Sequence, residues 1–313
     1  MLHKGINVPG ELHSHLNMFD VAKAFASISS APYDGNWSDA LAQISAAGRG
    51  WAGQLLGVSR GGEILYDMGY GLPLDALRDF ERRGGIDPGL NPRAAVLRQP
   101  YFMTCGDNDV VSADERRRSP FYTEFYDPAD TPFVCMARLP APNGASTVVV
   151  SLRSASAGHL VEEDRLRFAM LLPHVAAAVR LQSRLDGHGQ FLVTDALEAV
   201  GLPAFLLSAT GSVVGLTPSA ETFAVRGDVL HLRGRKVQAA DRRSDQRLQA
   251  AIRRACYWSL EPVAPSTSVV LQGENLATTV EVAPLPRAGG PARHGAVAVL
   301  TVVQPRSGYS VAA

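Results

Sequence analysis

Three hundred and thirteen residues, 46% apolar and 19% charged, describe a globular chain with material for two cores and exclude a disordered one. Thirty basic residues balance thirty acidic ones, which excludes a bulk field that would steer the chain onto a polyanion. No window reaches the ~18 continuous apolar residues of a membrane span, and the opening MLHKGINVPGELHSHL lacks the apolar core of a secretory signal. Cys105, Cys135 and Cys256 are odd in number and far apart, so a disulfide framework is excluded and a reducing cytoplasm is expected. The sequon Asn36-Trp37-Ser38 carries no meaning there.

Residues 1–16 hold His3, His13 and His15 with neither helical nor strand spacing and no thiolate nearby, which predicts a flexible segment rather than a metal site. Phe19, Ala22, Phe25 and Ala26 predict a short helix over 17–29, and a second spans Trp37–Ala47 between an Asn36 or Ser38 cap and Gly48. Trp51–Val58 and Glu63–Gly69 read as strands joined at Arg60-Gly61-Gly62, and Leu74, Leu77 and Phe80 mark a helix over 73–83. Residues 84–120 are loop-rich, with the apolar run Tyr101-Phe102-Met103 inside them. Pro120–Tyr126 is a helical turn with four aromatics, and Phe133–Leu139 and Ser146–Arg153 are strands around the Asn143-Gly144 turn.

Val161–Leu185 has the longest unbroken helical period. Glu162, Glu163 and Asp164 crowd its first turn, Arg180 and Arg184 its last turns, and Gly187 and Gly189 are the expected stop. At ~35 Å it is long enough to leave its own domain. Leu166, Met170, Pro173, Ala177 and Leu181 recur at spacings of four and three, the seam of a helix pair. Phe168, Leu172, Val175 and Val179 form a second stripe suited to the domain's own sheet. A fully buried core helix satisfies the same two stripes, and Pro173 is expected to kink it.

Beyond a break at Asp186–Gln190, Phe191–Val200 predicts a shorter helix. Pro203–Leu207 and Ser212–Leu216 then form a hairpin, Pro218–Ala224 a helical turn, and Arg226–Ala239 alternates weakly as strand. Asp241–Cys256 is a helix on Leu248, Ala251, Ile252 and Ala255, followed by strands at Thr267–Leu271, Ala277–Pro284 and Gly295–Val303, the last after a Pro/Gly-rich gap at Pro286–Arg293. That order predicts a five-stranded antiparallel sheet with helices on one side; the tail from Gln304 is too polar and small to pack.

Tyr101, Phe102, Met103, Phe121, Tyr122 and Phe125 stand on irregular segments, and aromatic walls with few polar anchors suit a flat apolar ligand. Gln54, Leu56, Tyr66 and Met68 are read as one sheet face forming the floor, joined by Phe133 and Cys135, with Gln54, Tyr66 and Tyr122 as hydrogen-bonding anchors. A small-domain core filled by the same rings is the competing reading. Two catalytic patterns also occur. Gly57-Val58-Ser59-Arg60-Gly61 spells the nucleophile elbow, with Asp107 or Asp109 and His159 in triad order, yet a strand rather than a helix is expected after it. Gly48-Arg49-Gly50-Trp51-Ala52-Gly53 spells a dinucleotide motif running from helix into strand, the reverse of a nucleotide turn, and no Walker loop is present. No catalytic residue, metal or cofactor is therefore expected. Cys105 and Cys135 read as buried apolar residues rather than a redox pair, and His174 as a partnered helix histidine rather than a haem or pH site. The clusters at Arg116–Arg118, Arg233–Lys236 and Arg253-Arg254 read as solvated faces, and Phe223, Tyr257 and Trp258 as packing residues that could edge a small second cavity.

Residues 203–223, PAFLLSATGSVVGLTPSAETF, resemble the opening of a PAS domain, with Thr217 where asparagine is usual and Ala209-Thr210 where aspartate is usual. SPFYTEFY at Ser119–Tyr126, the paired strands after it and LLPHVAAAVRLQSRL at Leu171–Leu185 are similar to the amino-terminal half of a group of LuxR-type transcriptional regulators, which carry a GAF-like sensor, a PAS-like unit and a helix-turn-helix in that order. The resemblance covers about residues 17–305 and implies an α+β protein of two antiparallel-sheet sensor domains joined by a long central helix: 1–16 flexible, 17–187 GAF-like, 188–305 PAS-like, 306–313 tail. It further implies transcription controlled by a small apolar or aromatic effector through a homodimer, seamed by Leu166, Met170, Ala177 and Leu181. DNA would be met only by a helix-turn-helix absent from this chain, either a truncated regulator or a form acting by association. A serine hydrolase using Ser59 and a ligand-free dimerisation scaffold are the alternatives.

Overall fold

The computed structural model describes residues 19–257, 266–273, 277–285 and 295–303. His3, His13 and His15, Trp258, the Pro286–Arg293 gap and the tail from Gln304 lie outside the described residues, as do the side chains of Leu74 and Tyr257. The chain divides after Gln182 into two units, and both are α+β with antiparallel sheets.

The first unit opens with α1 (Val21–Asp34), capped by Asp20, and α2 (Trp37–Ala47). Every residue of α2 from Ala40 to Ala47 is buried, the polar Gln43 and Ser45 included. Strands β1 (Ala52–Val58) and β2 (Ile64–Tyr70) form the expected hairpin, and α3 (Leu74–Arg82) follows. The loop-rich stretch contains a 3-10 turn at Pro92–Arg98, a short strand β3 (Thr104–Gly106), and helices α4 (Asp107–Val110) and α5 (Ala113–Arg118). A π-helical turn at Phe121–Tyr126 precedes β4 (Phe133–Pro140) and β5 (Ser146–Arg153). The sheet order is β2-β1-β5-β4-β3, antiparallel throughout.

Cross-strand partners share a face. Leu56 opposes Val148, Gln54 opposes Val150, and Met136 opposes Val150, which puts Gln54, Leu56, Val134, Met136, Val148 and Val150 on one side. The other side meets α2: Ser45 Oγ donates to the Ala52 carbonyl (2.7 Å) and Ser151 Oγ donates to that of Ser45 (2.8 Å). This contact explains the glycine pattern before β1. A Cβ on Gly48 would meet Ser151 Oγ at 2.6 Å, and one on Gly50 the Leu152 carbonyl at 2.5 Å. The spacing that mimics a nucleotide motif serves close helix–strand packing.

Helix α6 (Glu162–Ala199) is one continuous helix of 38 residues, and the division between the units falls within it. The expected stop at Gly187 and Gly189, and the separate helix from Phe191, are not found. Both glycines keep negative φ, so they weaken the helix by about 1 kcal/mol each relative to alanine without ending it. The end comes at Gly201 (φ +69°), where Gly201 N donates to Glu198 and Leu202 N to Leu197, a Schellman closure. The two stripes separate by burial: Phe168, Leu172, Val175 and Val179 are buried, whereas Leu166 and Met170 are 59% and 49% exposed. Pro173 and Ala177 are exposed and Leu181 half-buried. In the first unit α6 is held by the His174 ring against Phe25 (4.4 Å), by Trp37 Nε1 donating to Gln182, and by the buried pair Arg153–Asp164. His174 is exposed apart from this ring contact.

In the second unit β6 (Ala204–Leu207) and β7 (Val213–Leu216) lead into α7 (Pro218–Arg226). Thr217, in the position usual for asparagine in the PAS-like motif, caps α7 by accepting from Ala220 N, and its hydroxyl also accepts from Ala204 N (3.0 Å). A hydroxyl therefore ties helix to strand at that position. The weakly alternating stretch is a hairpin of its own, β8 (Leu230–Arg233) with β9 (Lys236–Ala239). After α8 (Arg242–Tyr257) come β10 (Thr267–Gln272), β11 (Ala277–Pro284) and β12 (Ala298–Val303), giving the order β10-β11-β12-β6-β7. Phe223 packs against this unit's core.

Candidate functional site

Between the Gln54–Leu56 face of the first sheet and the segments α3, Gly85–Leu97 and Phe125–Thr131 lies a cavity of about 70 Å³. Leu56, Val134, Met136, Val148, Val150 and Leu152 form its floor, and Phe80, Ala94, Val96, Leu97 and Phe125 its opposite wall. The volume exceeds the ~10–15 Å³ that admits one water and falls short of the ~150 Å³ known to take a benzene-sized ring. A ring-sized occupant must displace the wall opposite the floor. That wall is built largely of irregular segments, which open more readily than paired strands.

The lining is apolar except at a few points, and those are not random. Arg93 contributes to it although it is 4% exposed. Its Nε donates to Asp107 Oδ1 (2.8 Å), its Nη2 donates to the Thr131 carbonyl (3.0 Å), and its guanidinium lies 3.8 Å from the Tyr126 ring centre. Asp107 also accepts from the Tyr122 hydroxyl (2.5 Å) and from Val134 N (2.7 Å). Burial lowers the pKa of Arg93, but the Asp107 charge, the Tyr122 and Tyr126 oxygens and the hydrogen bond to Asp107 together outweigh it, holding the guanidinium charged. Burial pushes Tyr126 up to about 12, against the opposing pull of Arg93, so the phenol stays neutral. Arg93 Nη1 has no acceptor among the described residues.

Of the residues expected to line a pocket, Gln54, Leu56 and Phe125 do so. Tyr66 and Met68 are corrected to the other face of the sheet, because Tyr66 opposes Gly57 and Met68 opposes Leu55. Tyr66 bonds Thr147 Oγ1 there (2.7 Å) and its ring fills the space above Gly57. Cys135 lies across from Ser151 on that same face, with burial raising its thiol, as it raises Cys105 to about 12. Neither thiol is poised for redox chemistry. Phe121 and Tyr122 belong to the aromatic cluster behind the wall, and Phe133 packs against His159 (4.3 Å) under Arg116. Tyr101, Phe102 and Met103 are 42–43% exposed, with Arg138 stacked on Tyr101 (4.4 Å). Phe102 sits at φ +67°, a conformation uncommon for a bulky residue. Ser59 lies in the β1–β2 turn, where its Oγ accepts from Glu63 N (3.0 Å), and a strand follows it.

Arg93 escaped the sequence reading, and Asp107 entered it only as a possible triad acid beside Ser59. The available signal was a single charge at the head of the apolar run Arg93-Ala94-Ala95-Val96-Leu97, directly after the Asn91-Pro92 turn.

Gln54 Nε2 donates to Asp67 Oδ1 (2.8 Å). Burial pushes Asp67 up to about 7, opposed by this hydrogen bond and reinforced by Glu81. The folded state thus keeps a proton that the unfolded chain loses, so this group's contribution to stability declines as pH rises from about 4 through about 7. Asp67→Asn is expected to raise the melting temperature more above pH ~8 than below pH ~5. Calorimetry at the two pH values checks it, and an equal shift at both removes the assignment.

No protein-family model matches the chain, and no curated protein matches it. Solved structures do show likeness. The VqsR ligand-binding domain from Pseudomonas aeruginosa is 16% identical, with 52% of this chain and 96% of that chain covered and a TM-score of 0.39. The N-acylhomoserine lactone dependent LuxR family transcription factor CepR2 from Burkholderia cenocepacia is 15% identical over 52% of this chain and 94% of that one, at a TM-score of 0.38. The E. coli DhaR(N)–DhaL complex aligns over 90% of this chain and 87% of that chain at 13% identity and a TM-score of 0.26. These scores carry no functional conclusion. Function is read from the cavity itself.

Proposed function

We propose that the first unit is a small-molecule sensor of the GAF-like kind, taking an apolar or aromatic effector into the cavity above Leu56 and Val150, within a LuxR-type transcriptional regulator. The observation that carries this reading is the cavity: an apolar hollow between a rigid sheet and an irregular wall, with a buried guanidinium at its lining. Such a wall has two packings available, closed and occupied, and a ligand shifts between them by its difference in affinity for the two. The second unit is the PAS-like partner. In this reading α6 carries the change, and two chains pair along Leu166, Met170, Ala177 and Leu181; a chain that sediments as a monomer at high concentration removes that part. The chain acts by binding, and Ser59 serves as a turn residue. An ester turnover that disappears in Ser59→Ala would overturn this.

The test is a thermal-shift screen of aromatic, steroid and acyl-lactone compounds on the full chain. A true occupant present at ~100 times its Kd stabilises by about 2.7 kcal/mol. Ala94→Trp, which places a large ring in the cavity, abolishes that shift. A broad screen without any stabiliser favours the ligand-free scaffold.

A further inference from the structure

Resting on the sensor reading, we infer that Arg93 is the polar anchor of the cavity, and that it selects effectors carrying a neutral carbonyl oxygen over carboxylates and over plain hydrocarbons. Three observations converge. Arg93 lines the cavity and is almost wholly buried. Two of its three nitrogens are committed, Nε to Asp107 and Nη2 to the Thr131 carbonyl, while Nη1 has no acceptor among the described residues. A buried, unsatisfied donor on a charged group is costly, so an occupant that supplies an acceptor gains what the empty site forgoes.

The charge balance sets the chemical class. Asp107 already neutralises the guanidinium at 2.8 Å. A carboxylate entering beside this pair would bring a second negative charge into an apolar lining, with no further cation to balance it among the lining residues. A ketone, ester or amide oxygen satisfies Nη1 without that charge. Tyr126 stacks on the guanidinium and holds its plane, so the free N–H has a fixed direction.

The experiment compares acetophenone, ethylbenzene and benzoate on the full chain, three single-ring probes that differ in one substituent, with affinities from NMR titration. Acetophenone is expected to bind at least about tenfold more tightly than ethylbenzene, as a hydrogen bond to a charged donor requires, and benzoate no more tightly than ethylbenzene. Arg93→Lys keeps a charge beside Asp107 but loses the planar fork, and brings acetophenone to the ethylbenzene level. Should that variant fail to fold, the Arg93 guanidinium nitrogen resonances of the unaltered chain carry the test: they move with acetophenone and not with ethylbenzene. Equal binding of these two probes overturns the anchor and leaves the cavity reading standing. Benzoate binding tightest overturns the proposed selectivity. Failure of all three to perturb any lining residue overturns the anchor, and the broad thermal-shift screen then decides the sensor reading by itself.

Discussion

Asp164→Ala destabilises the chain by about 3–5 kcal/mol, because it strands a positive charge in the interior. Asp164 and Arg153 are 0% and 1% exposed, and their contact is 2.9 Å. The rest of the guanidinium is already spent on backbone: Nε donates to Gly158, Nη2 to Ala157 and His159, and Nη1 also to Gly48. Four segments meet at this point: the α2–β1 turn, β5, the loop to α6, and the start of α6, where Arg167 donates to the other carboxylate oxygen (3.0 Å). Denaturant unfolding of the variant measures the loss. The paired replacement Arg153→Met with Asp164→Leu should cost clearly less, since it removes both charges. A single variant within 1 kcal/mol of the parent, on the order of a surface pair, would show that the charge escapes to solvent.

The second large effect falls on Asp107→Ala, again about 3–5 kcal/mol. This carboxylate joins Arg93, Tyr122 and Val134, so its loss leaves a buried cation, a phenol and a strand amide without their acceptor at once. It also carries a signature that packing loss alone would not produce. Burial raises the Tyr122 phenol and Arg93 lowers it, while Asp107 raises it both by charge and by accepting its proton. Without Asp107 only burial still opposes Arg93, and Tyr122 ionises at lower pH. An ultraviolet titration of the folded variant against the parent reads this directly; an unmoved tyrosine titration sinks the assignment.

Local rules carried a good part of the architecture. Helix α2 and strands β5 and β11 were legible to their ends, the first two as largely apolar runs and β11 by its alternation, each bounded by turn residues. The two stripes of α6 were legible because side-chain period alone assigns them. What failed was long-range. Gln54 and Leu56 were grouped with Tyr66 and Met68 because period-2 counting within one strand says nothing about which residues of the next strand oppose it. The tight turn at Ser59–Glu63 and the irregularity at Gly57/Val58 set that register. Strand β3 was missed because it is three residues long and depends on β4 for its existence. The pairs Arg93–Asp107 and Arg153–Asp164 were missed for a related reason. A charged residue looks solvated in any short window, and only the fold supplies its partner.

Both five-stranded sheets place their first strand beside their last: Ala52 pairs with Leu152 and Phe205 with Leu300. A ribosome making this chain must therefore add about a hundred residues between a central strand and the neighbour that covers it, a wait of roughly 5–20 s at typical synthesis speeds. During that interval the nascent β1, AGQLLGV, has only its hairpin mate and presents an uncovered edge. Production of this protein should accordingly depend on translation speed and on chaperones that shield emerging strands, more than the finished fold would suggest.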